Sequence, residues 1–238
     1  MNQALLHVSG LTTYYGKVCA LRSINFDAHD NEIVGIVGPN GAGKTTLLES
    51  IAGSLRTTEG KITFEGISIE NLPVLKRREL GIMLVPQDKN IFPLMSVKKN
   101  FDVSVILSKK AERKELINYV YELFPVLGER KRQTANTLSG GQQKMLAVGI
   151  GIVSNARIIL IDEPSIGLAP KLVTRLFDTL KRIQEDTGKT IVLSEQNIKV
   201  LHIADRLFGL EAGSIRFDEK TEKLSKEAVK DLYLGSID

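Results

Sequence analysis

Residues 33–53 read IVGIVGPNGAGKTTLLESIAG: a run of Ile and Val, a glycine-rich turn, and a helical stretch that closes on Gly53, a fitting C-cap. The central Gly38-Pro39-Asn40-Gly41-Ala42-Gly43-Lys44-Thr45 has the spacing of a phosphate-cradling loop, and a β-type run before it with a helix after it is the context such a loop needs. Gly38, Gly41 and Gly43 let backbone N–H groups approach and wrap phosphate oxygens, and the helix that follows points its positive end at the anion. Lys44 adds a point charge for β- and γ-phosphates, Thr45 offers a hydroxyl to Mg²⁺, and Thr46 is a candidate for an α-phosphate contact. An ordinary glycine turn would match the pattern in about one chain in a hundred of this length, so the flanking strand and helix carry much of the weight.

Working outward, short β-type runs appear at LLHV, RSINFDA and KITFEG, and one helix, the one after the loop, is expected between Leu5 and about Glu79. After GIMLVPQ the apolar positions recur with helical period to about Val153. Strand signals return with RIILIDEP, TIVLSEQ, RLFGLEAG and SIRFDEK, with a helix over roughly 170–186. IVGIVG, IILID and TIVLS are nearly continuous apolar runs, as parallel strands buried on both faces require, and their carboxyl ends are where a site is expected. The fold class is therefore α/β, with a core formed by 1–87 and 156–238 and a helical insertion over 88–155.

The 32 Lys and Arg against 28 Asp and Glu give a net charge of +4, scattered along the chain, which by itself selects no partner. The single cysteine, Cys19, forms no internal disulfide and reads as a core filler. No run approaches the eighteen apolar residues of a membrane span, and the N-terminus lacks a basic region followed by an apolar signal core, so a cytoplasmic protein is expected.

A second chemical element is IILIDE. Asp162 at the strand end is placed to hold a metal, and Glu163, pointing another way, can face an attacking water as general base. Alone, such a pair is as often a solvated turn; with a phosphate loop upstream it gains its partner.

Leu138-Ser139-Gly140-Gly141-Gln142 resembles the signature of the ABC ATPase family. By itself the segment is a serine N-cap opening a helix; physically it is also a second phosphate-binding turn with exposed N–H groups. The resemblance implies a P-loop NTPase (RecA-like) core with an N-terminal antiparallel β subdomain and an inserted α-helical subdomain. It also implies a head-to-tail dimer in which the 38–46 loop of one subunit and the 138–142 turn of the other enclose each ATP, with Mg²⁺. Other positions match in order: Tyr15 (or its neighbour Tyr14) resembles the adenine-stacking aromatic, Gln87 the Q-loop glutamine that senses Mg²⁺, and Ser165-Ile166-Gly167-Leu168 the D-loop. Gln196 occupies the place of a histidine; it can donate a hydrogen bond to a γ-phosphate but cannot titrate near neutrality. Its expected role is catalytic, with Glu163 and Lys44.

The Glu195-Gln196-Asn197 run, GLAP at 167–170 and Tyr233-Leu234-Gly235 resemble the branched-chain amino acid importer ATPases. Two positions depart from that subfamily: Gln87, where glutamate is more usual, and Ile150-Gly151, where Arg-Ala is usual. The partners so implied are a second ABC ATPase subunit, identical or paired, membrane permease subunits and a substrate-binding protein, with the chain peripheral on the inner face of the cell membrane. Gln87 and the following DKNIFPLMSVKKN would form the groove for the permease, with Phe92 and Met95 either lining it or belonging to the core. Export or another solute is the alternative. A stand-alone ATPase acting on nucleic acid is not expected, because no coiled-coil insertion or second cassette is present. The Lys76-Arg77-Arg78 and Glu129-Arg130-Lys131-Arg132 clusters read as solvated faces, with contacts to lipid headgroups or phosphate as the alternative.

Overall fold

The computed structural model describes residues 4–88, 91–107, 112–154 and 156–224. The chain opens with a long hairpin, β1 (Leu6–Tyr15) and β2 (Val18–Ala28), followed by β3 (Ile33–Val37), the phosphate loop and α1 (Lys44–Ala52). Next come β4 (Glu59–Phe64), β5 (Ile67–Ser68), α2 (Val74–Leu80) and β6 (Ile82–Val85). Four helices follow: α3 (Val97–Ser104), α4 (Arg113–Leu123), α5 (Pro125–Glu129) and α6 (Gly140–Val153). The chain then returns through β7 (Ile158–Asp162), α7 (Pro170–Thr187), β8 (Thr190–Glu195), β9 (Arg206–Glu211) and β10 (Ser214–Lys220).

Two sheets result. The first is antiparallel, in the order β2-β1-β4-β5; the second runs β10-β9-β3-β8-β7-β6, with all strands parallel except β10. Side chains alternate across the parallel strands, so the second sheet divides the core in two. On one face Ile33, Ile159, Ile161, Ile191 and Leu193 pack against α3–α7; on the other Val34, Ile36, Ile158, Leu160 and Val192 pack against α1 and the first sheet. The same alternation sends Asp162 and Ser194 to the α1 face. Gly35 lies where any side chain would collide with Leu207, since an added Cβ would sit 2.4 Å from its Cδ2.

Three expectations are corrected. Between Leu5 and Glu79 there are two helices, because α2 forms on LKRREL after Pro73. Arg77 is not part of a solvated face: it is buried, and its guanidinium donates to the carbonyls of Ser50 (2.7 Å) and Ile51 (2.9 Å) at the end of α1 and to those of Glu70 and Leu72. Cys19 is half-buried and lines a cleft, its Sγ donating to the Leu21 carbonyl, so it does not fill the core. Phe92 and Met95 are exposed, which resolves that alternative against the core. Tyr233-Leu234-Gly235 lies outside the described residues. Among the described residues no helix is long and apolar enough to cross a membrane.

Candidate active site

The loop after β3 is shaped by glycines. An added Cβ on Gly38 would stand 2.0 Å from the Leu210 carbonyl oxygen, and Gly41 and Gly43 adopt φ of +77° and +106°, which side chains resist. Lys44, buried at the start of α1, folds its ammonium back to the carbonyls of Gly38 (2.9 Å) and Pro39 (3.0 Å) and lies 3.2 Å from Glu163 Oε1. The loop's own oxygens thus hold the cation next to the acidic strand end.

β7 delivers Asp162, buried, with both carboxylate oxygens occupied: Oδ2 accepts from Thr45 Oγ1 (2.9 Å) and Oδ1 from Ser194 Oγ (2.5 Å). Glu163 follows at φ +42°, a conformation non-glycine residues rarely adopt and one that accumulates at functional sites. Gln196 Nε2 donates to Glu163 Oε1 (2.8 Å) and to Asn40 Oδ1 (2.6 Å), joining the end of β8 to the phosphate loop. Glu195 turns to the other face, where it accepts from Ser165 N–H (2.9 Å), Ser165 Oγ–H (2.7 Å) and Asn197 N–H (3.2 Å). Burial pushes the Glu195 carboxyl above its ordinary range despite those donors.

A cleft of about 680 Å³ is lined by Tyr15, Asn40, Gly41, Gly43, Lys44, Thr45, Thr46, Gln87 and Glu163. Tyr15 lines it and Tyr14 does not; the Tyr15 hydroxyl donates to Glu49 Oε2 (3.2 Å). Ala42, within the loop, is buried. The oxygen donors at Thr45 and Asp162 suit Mg²⁺, which takes one or two carboxylates together with phosphate oxygens and water, and Gln87 reaches the same cleft.

Ser139, Gly140, Gly141 and Gln142 are not brought to that cleft. They form the N-terminus of α6 with a reciprocal capping box: Gln142 N–H donates to Ser139 Oγ (3.4 Å) and Ser139 N–H to Gln142 Oε1 (3.1 Å). Gly140 lines a separate cleft of about 720 Å³ together with Lys144, Leu168, Gln87 and Ile166, the last two of which line both. Lys144 ties α6 to this loop by donating to the Gln87 carbonyl (2.8 Å), and burial lowers its pKa.

Sequence reasoning missed two members of the site. Ser194 was read only as part of the TIVLSEQ strand and Glu195 only as part of the Glu195-Gln196-Asn197 resemblance, although the period-two alternation of TIVLSE already assigns them to opposite faces.

Similarity to known proteins agrees with this geometry. Residues 21–166 match the family described as ABC transporter. The chain is 37% identical over 233 residues to the high-affinity branched-chain amino acid transport ATP-binding protein BraG of Pseudomonas aeruginosa, covering 97% of this chain and 100% of the relative. It is 34% identical over 236 residues to the probable branched-chain amino acid transport ATP-binding protein LivF of Archaeoglobus fulgidus, covering 98% and 100%. Among solved structures, the dimeric post-hydrolysis state of the ATP-binding cassette MJ0796 bound to ADP and Pi superposes with a TM-score of 0.83 at 26% identity, covering 92% of this chain and 100% of that one.

Proposed function

Because this chain belongs to the ABC transporter family, as an ATP-binding and ATP-hydrolysing subunit, we propose that it is one half of a head-to-tail pair that powers branched-chain amino acid uptake. Separate membrane permease subunits and a substrate-binding protein complete the transporter, and the chain sits on the inner face of the membrane through the permease. The observation that carries the pairing is the separation of the two phosphate-binding turns: 38–46 lines the cleft with Tyr15, and 139–142 stands outside it. A turn that stands outside its own chain's cleft is free to close the cleft of another. The dimeric cassette among its structural relatives supports this. Near full-length similarity to BraG and LivF, and the Glu195-Gln196-Asn197 run, support the solute class.

In this reading Tyr15 stacks on adenine, the N–H groups of 38–46 wrap the phosphates, and Lys44 exchanges its loop carbonyls for β- and γ-phosphate oxygens. Thr45, Asp162 and Gln87 would hold Mg²⁺, which would supply the positive charge that neutralises charge building on the phosphates during transfer. Glu163 takes the proton of the attacking water. Gln196, already donating to Glu163, orients that carboxylate and offers its amide to the γ-phosphate, without taking up a proton itself. The helices α3–α6, within a subdomain over 88–155, carry Ser139–Gln142 toward the partner as the core of 1–87 and 156–238 closes on ATP.

The test is size-exclusion chromatography with light scattering on Glu163→Gln, with and without ATP·Mg²⁺. Binding should survive while turnover falls by about 10² to 10⁴-fold, and ATP should shift the monomer to a dimer. Turnover near that of the unmodified protein would remove Glu163 from its role, and a monomer that binds ATP would remove self-pairing.

A further inference from the structure

After Thr190 at its start, strand β8 is apolar on both faces through Ile191, Val192 and Leu193, and Val192 and Ser194 share the face that looks toward α1. An aliphatic residue would satisfy the pattern at 194; instead a hydroxyl is completely buried there. A serine hydroxyl has one proton to donate and lone pairs to accept with, and both capacities are used. Ser194 pairs with Asp162 in the register of β7 and β8, donates to Asp162 Oδ1 at 2.5 Å, and accepts the Glu163 N–H at 3.0 Å.

The two hydroxyls on Asp162 differ in what ligand binding does to them. Thr45 lines the cleft and sits at the head of α1, so its hydroxyl can leave Oδ2 for an incoming ligand. Ser194 does not line the cleft and lies on a strand paired along its length with β3 and β7. Its bond to Oδ1 can therefore remain when the site is filled. We propose that Ser194 is a positioning residue: it fixes the rotation of the Asp162 carboxylate so that Oδ2 faces the nucleotide-bound Mg²⁺, and it steadies the strained Glu163 backbone through the same oxygen. The proposal rests on the reading of Asp162 as a metal-holding residue. Without the hydroxyl, the carboxylate turns freely about its Cβ–Cγ bond, a broad torsion, and the Glu163 N–H retains only the Ser194 carbonyl, at 3.2 Å.

The experiment measures affinity for a non-hydrolysable ATP analogue in Mg²⁺ and in EDTA for the unmodified protein, Ser194→Ala and Asp162→Asn, with thermal melts of each. Ser194→Ala removes one oxygen and leaves the backbone pairing, so it should fold. Its affinity in EDTA should match the unmodified protein, while the gain on adding Mg²⁺ should shrink by about tenfold, the scale of one hydrogen bond to a charged group. Asp162→Asn should lose that gain more completely. If Asp162→Asn loses the Mg²⁺ response and Ser194→Ala keeps it, the positioning role fails and the metal reading stands. If Ser194→Ala weakens binding equally with and without Mg²⁺, the hydroxyl is merely structural and the proposal is overturned. If neither variant changes the Mg²⁺ response, Asp162 does not hold the metal and both readings fall.

Discussion

The molecule contains two glycine-rich turns at helix N-termini, and they are finished to different degrees. The loop at 38–43 is knitted into its own chain: Gly38 lies against the Leu210 carbonyl, Lys44 spans two loop carbonyls and Glu163, and Asn40 accepts from Gln196. The turn at 139–141 does not line the phosphate-loop cleft, its capping box uses the N–H groups of Ser139 and Gln142, and there is open space over Gly140. One turn has contacts drawn from three strand ends; the other stands open at its first glycine. In the proposed pairing, such a chain would supply the larger part of one site and the closing edge of another.

The largest effect should come from the first turn. Lys44→Ala removes the cation that the loop carbonyls hold in readiness, and with it several charge-assisted bonds to phosphate. A nucleotide titration should show affinity falling by about 100-fold, the upper end for the loss of a hydrogen bond to a charged group. Unchanged affinity would mean that the 38–46 loop does not bind the phosphates.

The second turn should respond in the opposite way. At Gly140 an added Cβ meets nothing within 4 Å, and alanine is a better helix residue than glycine by about 1 kcal/mol, so Gly140→Ala should fold at least as well and bind nucleotide as a monomer normally. What the methyl group obstructs is approach from outside. ATP-driven dimerisation and turnover should drop about tenfold, comparable to spoiling one charge-assisted hydrogen bond. Melting temperature, monomer affinity and turnover distinguish the outcomes; full activity would show that no phosphate comes within contact of Gly140.

These contrasts also explain what the sequence revealed. The shape of the 38–46 loop was legible because its chemistry is contiguous: a strand, three glycines, a lysine and a helix follow one another along a single segment. Asp162 and Glu163 were legible as polar residues ending an apolar strand. The β-type runs at LLHV and RSINFDA were shorter than the strands they belong to, because Ser9-Gly10 and Thr12-Thr13 look like turn chemistry, yet β1 continues through them with Gly10 at φ +60° and repeated register shifts against β2. Arg77 looked like one of three surface cations, since nothing local shows that the carbonyl end of α1 lies over it. Ser194 and Glu195 were obscured for the same reason: their partners are set by the register of β8 beside β7 and by a turn some thirty residues earlier. Side chains that act through the backbone of their own segment are visible in sequence; those that act across the sheet need the pairing.

Glu195 offers the finest probe, because it lies on the sheet face opposite Asp162 and controls Ser165, whose turn reaches both clefts through Ile166. Glu195 is 1% exposed, and desolvation raises its pKa above the unfolded value, outweighing the Ser165 and Asn197 donors. The folded protein therefore holds this proton over a window where the unfolded chain has released it. Stability that is fully present below the unfolded value, about pH 4.3, is lost as pH rises through the folded value. Glu195→Gln cannot titrate, so it should lack this decline, although it places an amide NH₂ among donors that need an acceptor and should be less stable at every pH by about 1–3 kcal/mol. The informative quantity is the slope. Melts across the weakly acidic range should show the unmodified protein losing stability relative to Glu195→Gln as pH increases, with the gap between them narrowing. Parallel curves would mean that the buried carboxyl titrates like a free one and that its hydrogen bonds to Ser165 offset the full cost of removing it from water.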